Sequence, residues 1–270
     1  MARTIISSKP DTLLQYLEKI WVNKSLILTL ARRDLKAKYA QTILGLAWTI
    51  VQPLTAVVIY TLFFSVLLKF ETEYPYVLFV LSGILLWGLF NYIFAQGSTA
   101  VQQNQDLVQK LYFPKLILPL SKVLVALVEF AAILLFFIGL LIVFQVNVFS
   151  WKLMLTLPIF GILIIFSLGL ALILGAATAK NRDLNHIIPF LVNFGIWVTP
   201  VFYPVTVIPE QYKNLLYINP MATLIQLFRW CLFDEPISIY AFLGIGVAFL
   251  IFLIGFFFFK KVEDKMIDVL

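Results

Sequence analysis

Apolar residues fall along this chain in long blocks rather than in the short alternations of a soluble domain. Largely apolar runs cover 43–68, 76–96, 116–146, 153–179 and 238–259. A helix crossing a bilayer's hydrocarbon core needs about 20 mostly apolar residues, and each run satisfies that length. A sixth stretch, IIPFLVNFGIWVTPV at 187–201, is shorter and carries Pro189 and Pro200. It reads as a re-entrant piece or as a tilted, broken span. Pro189 and the Gln52–Pro53 pair of the first run are candidate kinks.

Between and before these runs the pattern changes. Leu14, Leu17, Trp21, Leu28 and Leu35 recur three, four or seven positions apart with charges between them. That spacing predicts an amphipathic helical segment over 11–39, lying in the membrane surface. Asp11 and Thr12 are candidate caps, and Asn23-Lys24-Ser25 is a candidate break. QGSTAVQQNQDLVQKLYFPKL, at 96–116, predicts a short polar helix ended by Pro114 and projecting Gln102, Gln103, Asn104, Gln105, Asp106 and Lys110. Beyond residue 202, YPVTVIPEQYKNLLYINP has the prolines and tyrosines of an interfacial helix. MATLIQLFRWCLF, which follows it, is too short to span and holds Arg229. It is expected to dip into or lie along the outer leaflet, the alternative being an ordinary external loop with an apolar face.

Composition agrees with the blocks: 62% of residues are hydrophobic, 13% are charged and the mean hydropathy is +0.98. Soluble domains average ~45–50% apolar and ~25% charged. Charge settles the number of crossings. With six spans and both termini cytoplasmic, only Lys69, Lys152, Lys213 and Arg229 of the 20 Lys and Arg face outward. The inner set runs from Arg3, Lys9, Lys19 and Lys24 through Arg32, Arg33, Lys36 and Lys38. It continues with Lys110, Lys115 and Lys122, then Lys180 and Arg182, then Lys260, Lys261 and Lys265. Five spans would put the lysine-rich tail outside, against the positive-inside rule. The net charge of +6 is thus spread as topology requires, with no basic fold left over for nucleic acid.

Candidate chemistry is sparse. A single cysteine, Cys231, excludes an internal disulfide framework, and a lone His186 argues against a histidine metal or acid–base cluster. No secretory signal pattern is expected in the charge-studded first forty residues. LGAATAK around Gly175 lacks the second glycine and the Lys–Ser/Thr pair of a phosphate loop. Glu129 is the acidic group clearly inside an apolar run, and should face the bundle interior or water. Lys122, two helical turns earlier, is its candidate local partner, and a packing role competes with a gating one. Ala171, Gly175 and Ala179 allow close helix approach, within the chain rather than between copies.

Three stretches carry a resemblance to a family: RRDLKAKYAQTILGLAWTIVQPL at 32–54, QNQDLVQKLYFPKLILPL at 103–120 and NPMATLIQLFR at 219–229. They resemble the ABC-2 type permeases that export O-antigen, capsular polysaccharide or teichoic acid, with the O-antigen branch the most similar. The resemblance implies an all-α integral membrane protein forming one domain over 1–270. Residues 1–42 would be the amphipathic interface helix, 43–259 a six-span bundle with re-entrant or interfacial helices in its last external loop, and 260–270 a cytoplasmic tail. It implies a homodimer in a bacterial inner membrane, paired with two separate subunits that bind ATP and Mg. This chain would hold no cofactor and no catalytic residue, and its substrate would be a polyprenyl-linked glycan surrounded by membrane lipids.

By that resemblance Gln103, Asn104, Gln105, Asp106 and Lys110, with Arg32, Arg33 and Lys36, meet the ATPase. Spans one and five border a lateral opening. Trp48, Gln52, Tyr60, Trp87, Tyr92 and Trp197 are channel candidates, since flat aromatic faces match sugar rings. Tyr203, Tyr212, Tyr217 and Arg229 are candidates for an outer gate. Two other classes compete. A membrane-embedded transferase of lipid-linked sugars needs clustered carboxylates, His or Arg at one face, which this sequence scarcely supplies. A passive channel or scramblase would show flux without ATP.

Overall fold

The computed structural model describes residues 12–70, 72–148 and 150–269. Arg3, Lys9 and Asp11 lie outside the described residues, as do the side chains of Ala179, Lys180, Arg182 and Lys265. Regular structure among the described residues is entirely helical. Helix α1 (Leu13–Val22) starts at Thr12, whose hydroxyl accepts the Gln15 N–H while the Gln15 side chain accepts the Thr12 N–H. This reciprocal pair satisfies two donors left open by the first turn. The chain breaks at Asn23, inside the expected Asn-Lys-Ser, and resumes as α2 (Lys24–Tyr39). A link with Gln41 at φ 62° leads through a 3₁₀ turn at Gly45–Ala47 into α3 (Trp48–Tyr60). Over Thr61–Leu67 the same span widens into π-helical geometry near its C-terminal end, with hydrogen bonds reaching one residue further along the chain.

Helix α4 (Tyr76–Gln103) is followed by α5 (Gln105–Lys110), then α6 (Ile117–Val143) and α7 (Thr156–Lys180). The remaining α-helices are α8 (Ile187–Val198), α9 (Glu210–Leu216), α10 (Pro220–Phe233) and α11 (Ala241–Val269). Among the described residues, five stretches are long and apolar enough to cross a membrane: Gly45–Leu67, Tyr76–Gln103, Ile117–Val143, Trp151–Thr178 and Ala241–Glu263. α8, with 12 residues, is not one of them. At ~1.5 Å per residue it is about 18 Å long, against a hydrocarbon core of ~30 Å. Pro189 sits in its first turn, where no backbone donor is lost, so this proline starts a helix rather than kinking one. Pro53 does lie inside α3.

The core is built around α4. In its most apolar window 78% of residues are buried, against 6% for Gly45–Leu67. Small residues let α7 press on α4: a Cβ on Gly97 would stand 2.9 Å from the Ala171 methyl, and one on Gly175 would stand 3.2 Å from the Ser98 carbonyl oxygen. The small-residue stripe therefore closes a contact inside the chain. α7 also meets α11 across Gly169 and Gly255, where the backbones touch and leave no room for a side chain. α3 with its π-helical continuation, and α8, by contrast, keep wide apolar faces uncovered, among them Val58, Leu62, Phe63, Phe190, Phe194 and Val198.

α10 narrows one expectation. Of a segment that dips in or lies along a leaflet, only the first fits a helix that is buried on almost every residue and packs against α4, α7 and α11. Asn219 caps its start by accepting the Met221 N–H, with Pro220 as the first helical residue, and Asp234 ends it at φ 57°. The polar segment after residue 96 also differs from expectation. α4 runs on unbroken to Gln103, and α5 is a six-residue helix that ends at Lys110, well before Pro114. Hydropathy falls at residue 97 but helix hydrogen bonding does not. The break comes at Asn104, whose side chain turns back to donate to the Ala100 carbonyl at 2.8 Å.

Candidate functional site

Polar side chains converge where α2 lies against α6. Lys122 Nζ donates to Asp34 Oδ2 at 2.7 Å and to Gln103 Oε1 at 3.3 Å. Arg33 Nη2 donates to Asp34 Oδ1 at 2.8 Å and to Asn104 Oδ1 at 2.7 Å. One helical turn further along α2, Lys38 Nζ and the Tyr39 hydroxyl both donate to Glu129 Oε1 at 2.7 Å. Higher numbers on α2 pair with higher numbers on α6, so the two helices advance in the same sense and are joined by two polar rungs. Glu129 is thus paired across helices, and Lys122 is committed to Asp34 instead of serving as its local partner.

Burial alone pushes the Asp34 carboxyl up. Hydrogen bonds and charge from Lys122 and Arg33 outweigh it and hold the group below its ordinary value. Burial raises the Tyr39 phenol, and the neighbouring Glu129 raises it further, so it stays a donor. The network extends to α7 through Gln102, whose amide donates to the Thr178 carbonyl at 2.8 Å and accepts from Asn185 Nδ2 at 2.8 Å. Residues 102–104 are therefore anchored from several sides. Gln103, Gln105, Asp106 and Lys110 remain exposed beside exposed Arg32, Arg33 and Lys36. Asn104 alone of that set is buried, at 7% exposure, and works as the pivot of the break. Lys38, Tyr39 and Glu129 form a rung that sequence spacing alone did not single out; its signal is the four-residue step on α2 set against the seven-residue step on α6.

Above this rung opens a cavity of about 440 Å³ lined by Lys38, Tyr39, Trp48, Gln52, Tyr92 and Glu129. The Lys38 ammonium lies over the Tyr92 ring, 4.7 Å from its centre. Flat aromatic walls beside a carboxylate, an amide and an ammonium suit a hydroxyl-rich ligand with apolar faces. Of the six aromatic and amide channel candidates, Trp48, Gln52 and Tyr92 meet here. Tyr60 and Trp197 meet elsewhere, both packed on Phe202 with ring centres 4.7 Å apart. Trp87 is buried against Phe90, 5.0 Å away, and against Gly195 of α8.

The four outer candidates do not converge. Tyr203 donates to the Trp197 carbonyl at 3.1 Å, Tyr212 is exposed, and Tyr217 is buried. Arg229 has no exposed surface and donates to Ser82 Oγ (3.2 Å) and to the carbonyls of Pro200 (2.8 Å), Phe79 (3.0 Å) and Val201 (2.7 Å). Its guanidinium also lies 3.6 Å from the centre of the Phe79 ring. It staples α10 to α4 and to the turn after α8. A second cavity of about 380 Å³ lies beside it, bordered by Glu73, Lys213, Tyr217, Gln226 and Glu235. Among the described residues no three His, Cys, Asp or Glu side chains come together to hold a metal ion.

Long apolar helices around a buried α4, with polar rungs clustered at one end, define an α-helical membrane protein. The model of the ABC-2 type transporter family matches residues 25–233, and the chain belongs to that family. Its curated relatives include the O-antigen export system permease protein RfbA of Myxococcus xanthus, 28% identical over 226 residues, covering 83% of this chain and 86% of the relative. A protein of the same name from Klebsiella pneumoniae is 25% identical over 249 residues, 91% and 95% of the two chains. The polysialic acid transport protein KpsM of Escherichia coli is 24% identical over 226 residues, 80% and 84% of the two chains.

Proposed function

We propose that this chain is the permease half of an ATP-driven exporter that carries a lipid-linked polysaccharide of the O-antigen kind outward across a bacterial inner membrane. Near full-length similarity to permeases named for O-antigen export carries the reading. Two copies pair with two separate ATPase subunits, which supply ATP and Mg. The chain crosses six times with both termini cytoplasmic, and α8 with its flanking turns makes the fifth crossing. That arrangement puts α1, α2 and α5 on the side where Lys and Arg concentrate.

Exposed Arg32, Lys36, Gln105, Asp106 and Lys110 form the surface offered to the ATPase. Because α2 is pinned to α6 by Asp34–Lys122 and Lys38–Glu129, a push on that surface moves α6 and the cavity floor together. α3 follows only through the link at 40–44. Sugars pass Trp48, Gln52 and Tyr92, while the polyprenyl tail stays in lipid along the uncovered faces of α3 and α8. The KpsM similarity supports a second reading in which the cargo is a capsular polysaccharide.

Deleting the gene and identifying the lipid-linked glycan that accumulates on the inner leaflet separates these cargoes. Copurification of an ATPase subunit supports the assembly. Full-rate flux through the lone chain without ATP would overturn it.

A further inference from the structure

A third cavity, of about 340 Å³, lies away from the cargo path, between α1, the 111–116 link and the end of α11. Four lysines, Lys19, Lys115, Lys260 and Lys261, line it together with Tyr16, Tyr112, Phe257 and Glu263. Glu263 is engaged: it accepts the Tyr16 hydroxyl at 2.6 Å and also the Lys115 backbone N–H. The ammonium groups sit on ring faces, Lys19 and Lys115 at 6.0 and 5.4 Å from the Tyr112 centre and Lys260 at 5.3 Å from the Tyr16 centre. Lys115 is the telling residue. It is 3% exposed, yet no carboxylate among the described residues lies within ion-pair distance of it. A buried ammonium without a counter-ion is unfavourable, and the cavity beside it is large enough for a small ligand.

We propose that this pocket holds the phosphate of an anionic phospholipid from the inner leaflet. Its chemistry is that of basic pockets between helices that take acidic headgroups. Phosphate is the shared chemistry, and the walls argue for a lipid source. Phe257 borders the pocket, is 51% exposed, and continues into the exposed Leu253, Ile254 and Phe258 on the spanning part of α11. A headgroup among the lysines therefore lays its acyl chains along that apolar strip. Leu14, Leu17 and Trp21 of α1, all exposed, enter the same leaflet beside it. The bound lipid clamps α1 to the tail of α11, next to the Glu263 bonds. The proposal rests on the preceding assignment of this end to the cytoplasmic side.

Native mass spectrometry of the full chain, purified with the subunits that copurify, tests it with phosphatidylglycerol, phosphatidylcholine and inorganic phosphate. Phosphatidylglycerol is expected to be retained over phosphatidylcholine. Lys261→Gln on the exposed rim should weaken retention about fivefold, and Lys115→Gln about tenfold. Lys24→Gln, at the same membrane surface but outside the pocket, should leave retention unchanged. Equal retention of the two lipids, full displacement by millimolar inorganic phosphate, or insensitivity to Lys261→Gln overturns the proposal. The readout needs no transport, so export can fail without touching this result, and lipid retention can fail while export stands.

Discussion

Arg229 exchanges its hydration for four protein acceptors, three of them backbone carbonyls on two different segments. Lysine cannot reproduce that fork, so Arg229→Lys should strand at least one buried carbonyl and lose about 1–3 kcal/mol. The apparent melting temperature in detergent reads the loss, and Arg229→Ala should fall further. The two perturbed carboxylates titrate with opposite sign. Asp34 is held below its ordinary value, so its contribution is complete at neutral pH. It disappears only as pH falls through that lowered value, beneath the usual ~3.9. Glu235 is raised, mainly by burial and further by Glu73, against the pull of Arg229. The folded state therefore holds its proton more tightly than the unfolded chain, and stability falls as pH rises from the usual ~4.3 through the raised value. Glu235→Gln should flatten that decline when melting temperature is followed against pH; an unchanged profile would count against it.

The helix pair α2–α6 can be tested by removing one partner or both. Lys122 and Asp34 are only 7% and 14% exposed at the side chain, so Lys122→Met should lose about 1–3 kcal/mol, the Asp34 carboxylate keeping Arg33 as its remaining cationic partner. Adding Asp34→Leu should recover part of that loss, as a double-mutant comparison of unfolding would reveal. Exposed Arg32 and Lys36 make no such bonds. Neutralising both should change stability by less than ~0.5 kcal/mol while reducing export per ATP hydrolysed, measured with the reconstituted complex. Normal coupling in a correctly inserted variant would reduce them to topology anchors. Five apolar helices, the Thr12 cap and the Asn23 break were legible in the sequence because hydropathy and capping are local. Neither the end of α4 nor the rungs could be read that way. Polar residues can continue a helix whose hydrogen bonds are already in register, as Gln102 and Gln103 do. Glu129 gives no local sign that its partners lie on α2, and Arg229 on a short apolar helix looks the same whether it faces a headgroup or three carbonyls and a hydroxyl.

At the scale of the whole molecule, tight and loose seams divide the bundle. α4, α7 and α11 are joined by small residues, and Gly169→Leu or Gly255→Leu should separate α7 from α11, seen as loss of folded protein in the membrane fraction. α3 and α8 border the rest with uncovered apolar faces. The polar rungs also impose an order on biogenesis. Asp34 and Lys38 find partners 88 and 91 residues later in the chain, and Tyr16 finds Glu263 only 247 residues later. At ~5–20 residues per second of synthesis, the first 88-residue gap means that α2 waits roughly 4–18 s for α6 to emerge. Until then α2 has neither polar rung, and the adjoining α1 carries Leu14, Leu17 and Trp21 exposed. α1 is thus fastened much later than α2, because the clasp between Tyr16 and Glu263 cannot close until α11 has been made. A chain stalled before α11 would hold its α2–α6 rungs but leave α1 unclasped.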